Sequence, residues 1–168
     1  MTGSQSPAPS GLPQALGAYV MWGFMPLYLL LVRQVPAFEF VGWRIVWTLP
    51  VCLLIVAFRR QFPDIRRALA DRRALLVLAA SAMLISVNWV VYVWAIQQGE
   101  VYAASLGYYI NPLVNILLGT LILKETLSRA QWIAVALAGV GIAVLAAGAL
   151  TTLWISLTLA LSFGTYGL

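Results

Sequence analysis

The chain has 168 residues, of which 62% are hydrophobic and 9% charged, and its mean hydropathy is +0.93. That is too apolar for a water-soluble globule of this size. The net charge of +5 is bunched in a few places and leaves six apolar runs of about 17 to 24 residues between them.

About 20 apolar residues in a helix cross a hydrocarbon core of roughly 30 Å. The runs fall near 13–32, 38–58, 74–97, 102–123, 130–149 and 152 to the last residue. They lack the short alternating segments of a membrane β-barrel, and lipid requires each backbone polar group to be paired within its own segment. The expected fold class is therefore all-α: a polytopic membrane protein.

Residues 1–12 are small, polar and proline-bearing, without Lys or Arg, and are expected to form a disordered tail. No small-x-small cleavage pattern follows the first run, which argues against a cleaved signal peptide. In that run Tyr19, Trp22 and Pro26 share one helical face. Pro26 deprives the Trp22 carbonyl of its helical donor and predicts a kink; the face suits either packing or contact with a ligand.

The second run holds Arg44, the one charge well inside an apolar stretch. An intramembrane Arg marks either a pairing or snorkelling side chain or a binding group. Glu39, five positions earlier, is not squarely on its face. Cys52, the lone cysteine, excludes an internal disulfide and reads as a small hydrophobe.

Residues 59–73 carry six Arg and two Asp. Flanked by two spans, this segment is a topogenic signal beside anionic headgroups, and it lacks the aromatic platform or basic domain expected of a nucleic-acid partner. Phe62, Ile65 and Leu69 recur at helical spacing, so part of it is expected to lie on the membrane surface.

The third and fourth runs meet through the tight polar connection Gln97-Gln98-Gly99-Glu100. Ser81, Ile85, Asn88 and Tyr92 form a stripe on the third, with Trp89 and Trp94 beside it. On the fourth, Ser105, Tyr108, Pro112, Asn115 and Gly119 share a face, and Asn111 is one turn from Asn115. Pro112 frees the Tyr108 carbonyl. Single Asn or Ser residues in membranes commonly bond a neighbouring helix. The convergence of several favours a polar cavity, and Asn88, Tyr92, Tyr108, Asn111, Asn115 and Arg44 are the expected substrate-binding set. The fifth run follows a short charged turn. Its small-residue stripe Gly139, Ala143 and Ala147 reads as a close-packing face.

Several of these pieces together resemble a known family: Trp22-Gly23 then Pro26, Glu39, Arg44-Ile45-Val46-Trp47, Asn88-Trp89 with Trp94-Ala95, and Glu125 ahead of Gln131-Trp132. The most specific is the run from Ala104 to Asn115, ASLGYYINPLVN. The resemblance is to the RarD-type branch of the EamA family in the drug/metabolite transporter superfamily, and it covers nearly everything from residue 13 onward. It implies a bacterial inner-membrane permease of ten helices, built from two inverted five-helix repeats around a central cavity. Where some relatives carry Lys shortly after the first-helix proline, this chain has Leu30, so a cation there is not carried over.

The expected domains are then residues 13–149 as one five-helix repeat and 150–168 as the first helix of a second. Ser162–Leu168 can be laid on Ala18–Phe24 at a constant offset, with two aromatics and a glycine matching. The expected function is secondary transport of small organic metabolites or drugs by an incomplete, N-terminal half. A second repeat, a separate half or an antiparallel homodimer would complete it, with the bilayer and a small-molecule substrate as partners. The alternative is a non-transporting structural or regulatory membrane subunit. Enzymatic work is disfavoured: there is no His, one Cys, no acid in the interior of a span and no Ser nucleophile motif, so neither a metal nor another cofactor is expected. Four-helix multidrug exporters rely on a Glu in their first helix, and here that helix has none.

Excluding Arg44, eight Lys and Arg fall in segments on the tail's side of the membrane and one, Arg33, on the other. This places the tail in the cytoplasm. A cysteine introduced at Gln98 should be labelled from outside the cell, and one at Ala70 should not; the reverse pattern would refute the orientation.

Overall fold

The computed structural model describes residues 11–168, so all but the last two residues of the expected tail lie outside the described residues. The elements are α1 (Leu12–Leu31), α2 (Ala37–Arg59), α3 (Phe62–Ala70), α4 (Arg72–Gln97), α5 (Val101–Leu121), α6 (Arg129–Ala147) and α7 (Leu153–Tyr166), with a 3-10 turn at Leu150–Thr152 ahead of α7. Among the described residues there is no strand. Five helices, α1, α2, α4, α5 and α6, are long and apolar enough to cross a membrane. The chain is an all-α polytopic membrane protein.

Local chemistry sets the breaks between helices. Asp71 alone separates α3 from α4, and its carboxylate accepts from the Arg73 and Ala74 amides at 2.8 and 3.3 Å, capping α4. After α4 the chain reverses on Gly99, whose φ of +81° suits a residue without Cβ. There the Glu100 amide returns to the Ala95 carbonyl at 2.8 Å and the Gly99 amide to Ile96 at 3.1 Å, the paired closure that ends many helices. Ser128 and Gln131 form a reciprocal capping box at the start of α6.

α3 is amphipathic, with Phe62, Ile65 and Leu69 exposed along one side. Its Arg67–Asp64 pair, at 3.4 Å, is open to solvent and contributes little.

α7 packs most closely against α5 and then α4. Its Ser156, Ala160 and Gly164 recur every four residues, all buried; Ser156 lies against Ala103 and Gly107 of α5, and Gly164 lies further along against Val114. Ser156 Oγ donates to the Ala103 carbonyl at 2.7 Å. The backbones approach so closely that a Cβ on Gly107 would lie 2.9 Å from Leu159 Cβ and 3.0 Å from the Ser156 carbonyl oxygen. One on Gly164 would lie 2.6 Å from Val114 Cγ1. Small residues permit such approach where lipid offers no hydrophobic drive between helices.

The stripe on α6 plays no such role among the described residues. That helix buries no residue, and a Cβ on Gly139 would only touch Leu113 Cδ1 at 4.0 Å. The same periodicity thus occurs on two helices: the α7 stripe is fully buried, while α6 meets α5 through partly buried residues such as Ile142 and Ala146.

Gly107→Ala is expected to cost about 1–3 kcal/mol through forced displacement of α7, read as a lower melting point in detergent. Gly17→Ala, with nothing within 4 Å of the new methyl, should cause no loss.

Candidate functional site

The helix ends on one side are tied together. Gln97 Nε2 donates to the Val35 carbonyl at 2.9 Å, Tyr102 Oη to the Leu145 carbonyl at 2.9 Å, and Trp94 lies against Trp154 with ring centroids 5.5 Å apart. At about 1.5 Å rise per residue, Arg44, Asn88, Trp89, Tyr92 and Tyr108 all lie roughly 7–14 Å inward from that side. Trp22 of α1 falls at the same depth.

At this level a cavity of about 310 Å³ is lined by Trp22 and Met25 from α1, Asn88, Trp89 and Tyr92 from α4, Tyr108 from α5 and Phe163 from α7. Its aromatic wall is self-supporting. Tyr92 stands edge-on to Tyr108 at 5.8 Å and to Trp89 at 5.9 Å, contacts worth about 0.5–1.5 kcal/mol each beyond area burial. Two lining residues, Trp22 and Tyr108, lie four positions before the helix-internal prolines Pro26 and Pro112, so neither carbonyl has an i+4 backbone donor.

Asn88 is 3% exposed. Its Nδ2 donates to the Leu159 carbonyl at 2.9 Å and to Ser162 Oγ at 3.0 Å, and Ser162 Oγ donates onward to the Thr158 carbonyl at 2.6 Å. One amide therefore both borders the cavity and fastens α7 to α4.

Arg44 sits with its Cζ 3.6 Å above the Trp89 ring. Both residues line two grooves beside the chamber, of about 260 and 470 Å³. Met25 lines the larger groove as well as the chamber, so the two adjoin. Among the described residues the one ion pair is Arg67–Asp64, so no carboxylate neutralises Arg44. Stacking on an indole is worth about 0.5–2 kcal/mol, against about 2.5–3.5 kcal/mol for inserting an Arg at the centre of a membrane helix. The stack holds the guanidinium in place without fully offsetting its insertion.

Of the expected set, the structure brings Asn88, Tyr92 and Tyr108 around one chamber and Arg44 to its flank. Asn111 and Asn115 are not among the lining residues. Asn111 is buried at 9% exposure, and its Oδ1 has no hydrogen-bond partner among the described residues. The Asn115 carboxamide oxygen lies 3.2 Å from where a Cβ on Gly164 would be, against α7. Met25 and Phe163 line the chamber without having been singled out for it. Phe163 had a signal in the sequence: it pairs with Tyr166 at i, i+3 (6.1 Å), as Tyr19 does with Trp22 (6.0 Å).

Residues 9–147 match the EamA-like transporter family. Protein RarD of Streptomyces exfoliatus is 47% identical over 95% of this chain and 50% of its own length. An uncharacterized transporter of Pseudomonas aeruginosa is 46% identical over 94% of this chain and 53% of its own. Protein RarD of Escherichia coli is 40% identical, again over 94% and 53%. The chain thus spans about half the length of the curated relatives it matches. No solved structure matches it. With a family match over most of its residues and RarD relatives aligned along nearly its whole length, this chain belongs to the EamA-like transporter family, in its RarD-type branch.

Proposed function

We propose that this chain is one half of a secondary transporter that moves a small organic metabolite or drug across the bacterial plasma membrane by alternating access. The observation that carries the reading is the chamber. Side chains from α1, α4, α5 and α7 converge on one space of about 310 Å³ inside the span level, within the roughly 300–1,000 Å³ typical of small-molecule sites.

Three further features support it. Trp22 and Tyr108 line the chamber and precede helix-internal prolines by four residues, and transporter sites are commonly built where helices are interrupted. Trp22 is 63% exposed and Tyr108 46% exposed, which suits a wall completed by a further helical unit. The relatives' length, about twice the aligned span, agrees with a second five-helix unit supplying that wall. That unit would be a second repeat of the same polypeptide, a separate half or an antiparallel copy. The proposed orientation puts the basic α3 segment and the tail in the cytoplasm, as the charge distribution favours. No catalytic step is assigned.

Proteoliposomes provide the test, with flux of a labelled metabolite panel compared against protein-free vesicles. The chain assembled with a second five-helix unit should carry at least one panel member, and Tyr108→Ala should lower that flux at least tenfold with helicity unchanged. Absence of flux across the panel, or full flux in the Tyr108→Ala variant, would sink the transporter reading. Flux by a verified monomer with no second polypeptide would sink the half-transporter reading alone.

A further inference from the structure

We propose that the chamber takes an organic anion, with a flat apolar body held among Trp22, Tyr92 and Tyr108 and a carboxylate or comparable oxyanion on the guanidinium of Arg44. This deepens the transporter reading and rests on it.

Among the described residues, Arg44 is the only charged one lining the chamber or either adjoining groove. Its contact with Trp89 is through the face of the guanidinium, 3.6 Å above the ring. The five N–H donors lie in the guanidinium plane, so stacking occupies none of them and leaves the fork that matches a carboxylate. The chain's five acids are engaged or lie elsewhere. Asp64 faces Arg67, Asp71 caps α4, and Glu125 folds over Gly119 at the far end of α5. Glu39 lies in the first turn of α2 and Glu100 precedes α5, and neither forms an ion pair with Arg44. A cationic cargo would meet one unneutralised positive charge and no carboxylate.

Trp89 is the shared wall. It lines the chamber and both grooves, and Met25 joins the chamber to the larger groove. A ligand with its ring in the chamber can therefore extend an anionic group toward the guanidinium. A phospholipid headgroup is the competing occupant. Arg44 lies about 10 Å along α2 from its start at 1.5 Å per residue, and its stacking on Trp89 holds it at that depth.

The 168-residue chain in phosphatidylcholine nanodiscs can be titrated with benzoate, phenyl phosphate, benzamide and benzylamine, following tryptophan fluorescence. Benzoate or phenyl phosphate should quench saturably, and the tighter of the two identifies the oxyanion. Arg44→Gln should weaken that binding at least tenfold and leave benzamide unchanged. If the Gln variant does not fold, Arg44→Lys decides, because its preference for benzoate over benzamide should fall at least threefold.

Benzamide or benzylamine binding as tightly as the anions would overturn the proposal. So would anion binding unaltered in both Arg44 variants, including the case where only the response to added phosphatidylglycerol changes, which would assign Arg44 to lipid. Arg44-dependent anion binding with no flux in proteoliposomes would remove the transporter reading and leave the site. Flux of neutral or cationic cargo insensitive to Arg44→Gln would do the reverse.

Discussion

The close seating of α7 on α5 and α4 is the contact on which the rest depends. Lipid tails are as apolar as Leu, so helices in a membrane gain little from hydrophobic contact and associate through packing and hydrogen bonds. Here the packing is between Gly107 and Leu159 and between Gly164 and Val114, and the bonds run from Asn88 to α7 and from Ser156 to Ala103. Phe163, which closes one side of the chamber, is placed by that seating. α6 shows a looser case: it has small residues at the same period but, among the described residues, no side-chain hydrogen bond to α5 beyond that of Tyr102 near its end, and it meets α5 only through partly buried residues.

Arg44 illustrates how a cost in one place fixes a geometry in another. A guanidinium within the span must find an aromatic face, water or an anion. Trp89 supplies the face, and Trp89 is itself braced edge-on by Tyr92, which is braced by Tyr108. The cation is therefore coupled through three rings to the chamber wall. A planar cation on a planar shelf keeps its orientation better than a flexible ammonium would, because the fork is fixed once the stack is made.

Helix positions were legible in the sequence because run length and charge punctuation are one-dimensional signals, and the ends near Gly99, Asp71 and Ser128 each carry local chemistry. The surface helix α3 was legible from Phe62, Ile65 and Leu69. Partners across helices were not. That Asn88 bonds Leu159 and Ser162, more than seventy positions away, or that Arg44 chooses Trp89 rather than Glu39, depends on how α2, α4 and α7 cross. The small-residue stripes show the same limit, since Gly139, Ala143 and Ala147 look as suited to packing as Ser156, Ala160 and Gly164. In the fold the α7 stripe is fully buried and carries the Ser156 hydroxyl bond to the Ala103 carbonyl, whereas the α6 stripe is not fully buried. Asn111 and Asn115 share the polar face of α5 with Tyr108, but at about 1.5 Å per residue they lie roughly 5–10 Å deeper, past the chamber, Asn115 against α7.

That depth ordering bears on how the site can work. The chamber is made of groups whose hydrogen bonding is divided. Asn88 gives its Nδ2 to α7, while the carbonyls of Trp22 and Tyr108 have lost their helical donors to Pro26 and Pro112. Acceptors of this kind cost less to leave facing a hydrated cavity than lipid, where an unpaired backbone group costs several kcal/mol. Below them Asn111 holds a buried carboxamide oxygen without a partner among the described residues, a state that costs about 1–3 kcal/mol in a closed core. Two incompletely bonded acceptors therefore lie about one turn apart on α5, the Tyr108 carbonyl at the level of the aromatic chamber and the Asn111 carboxamide oxygen nearer mid-helix.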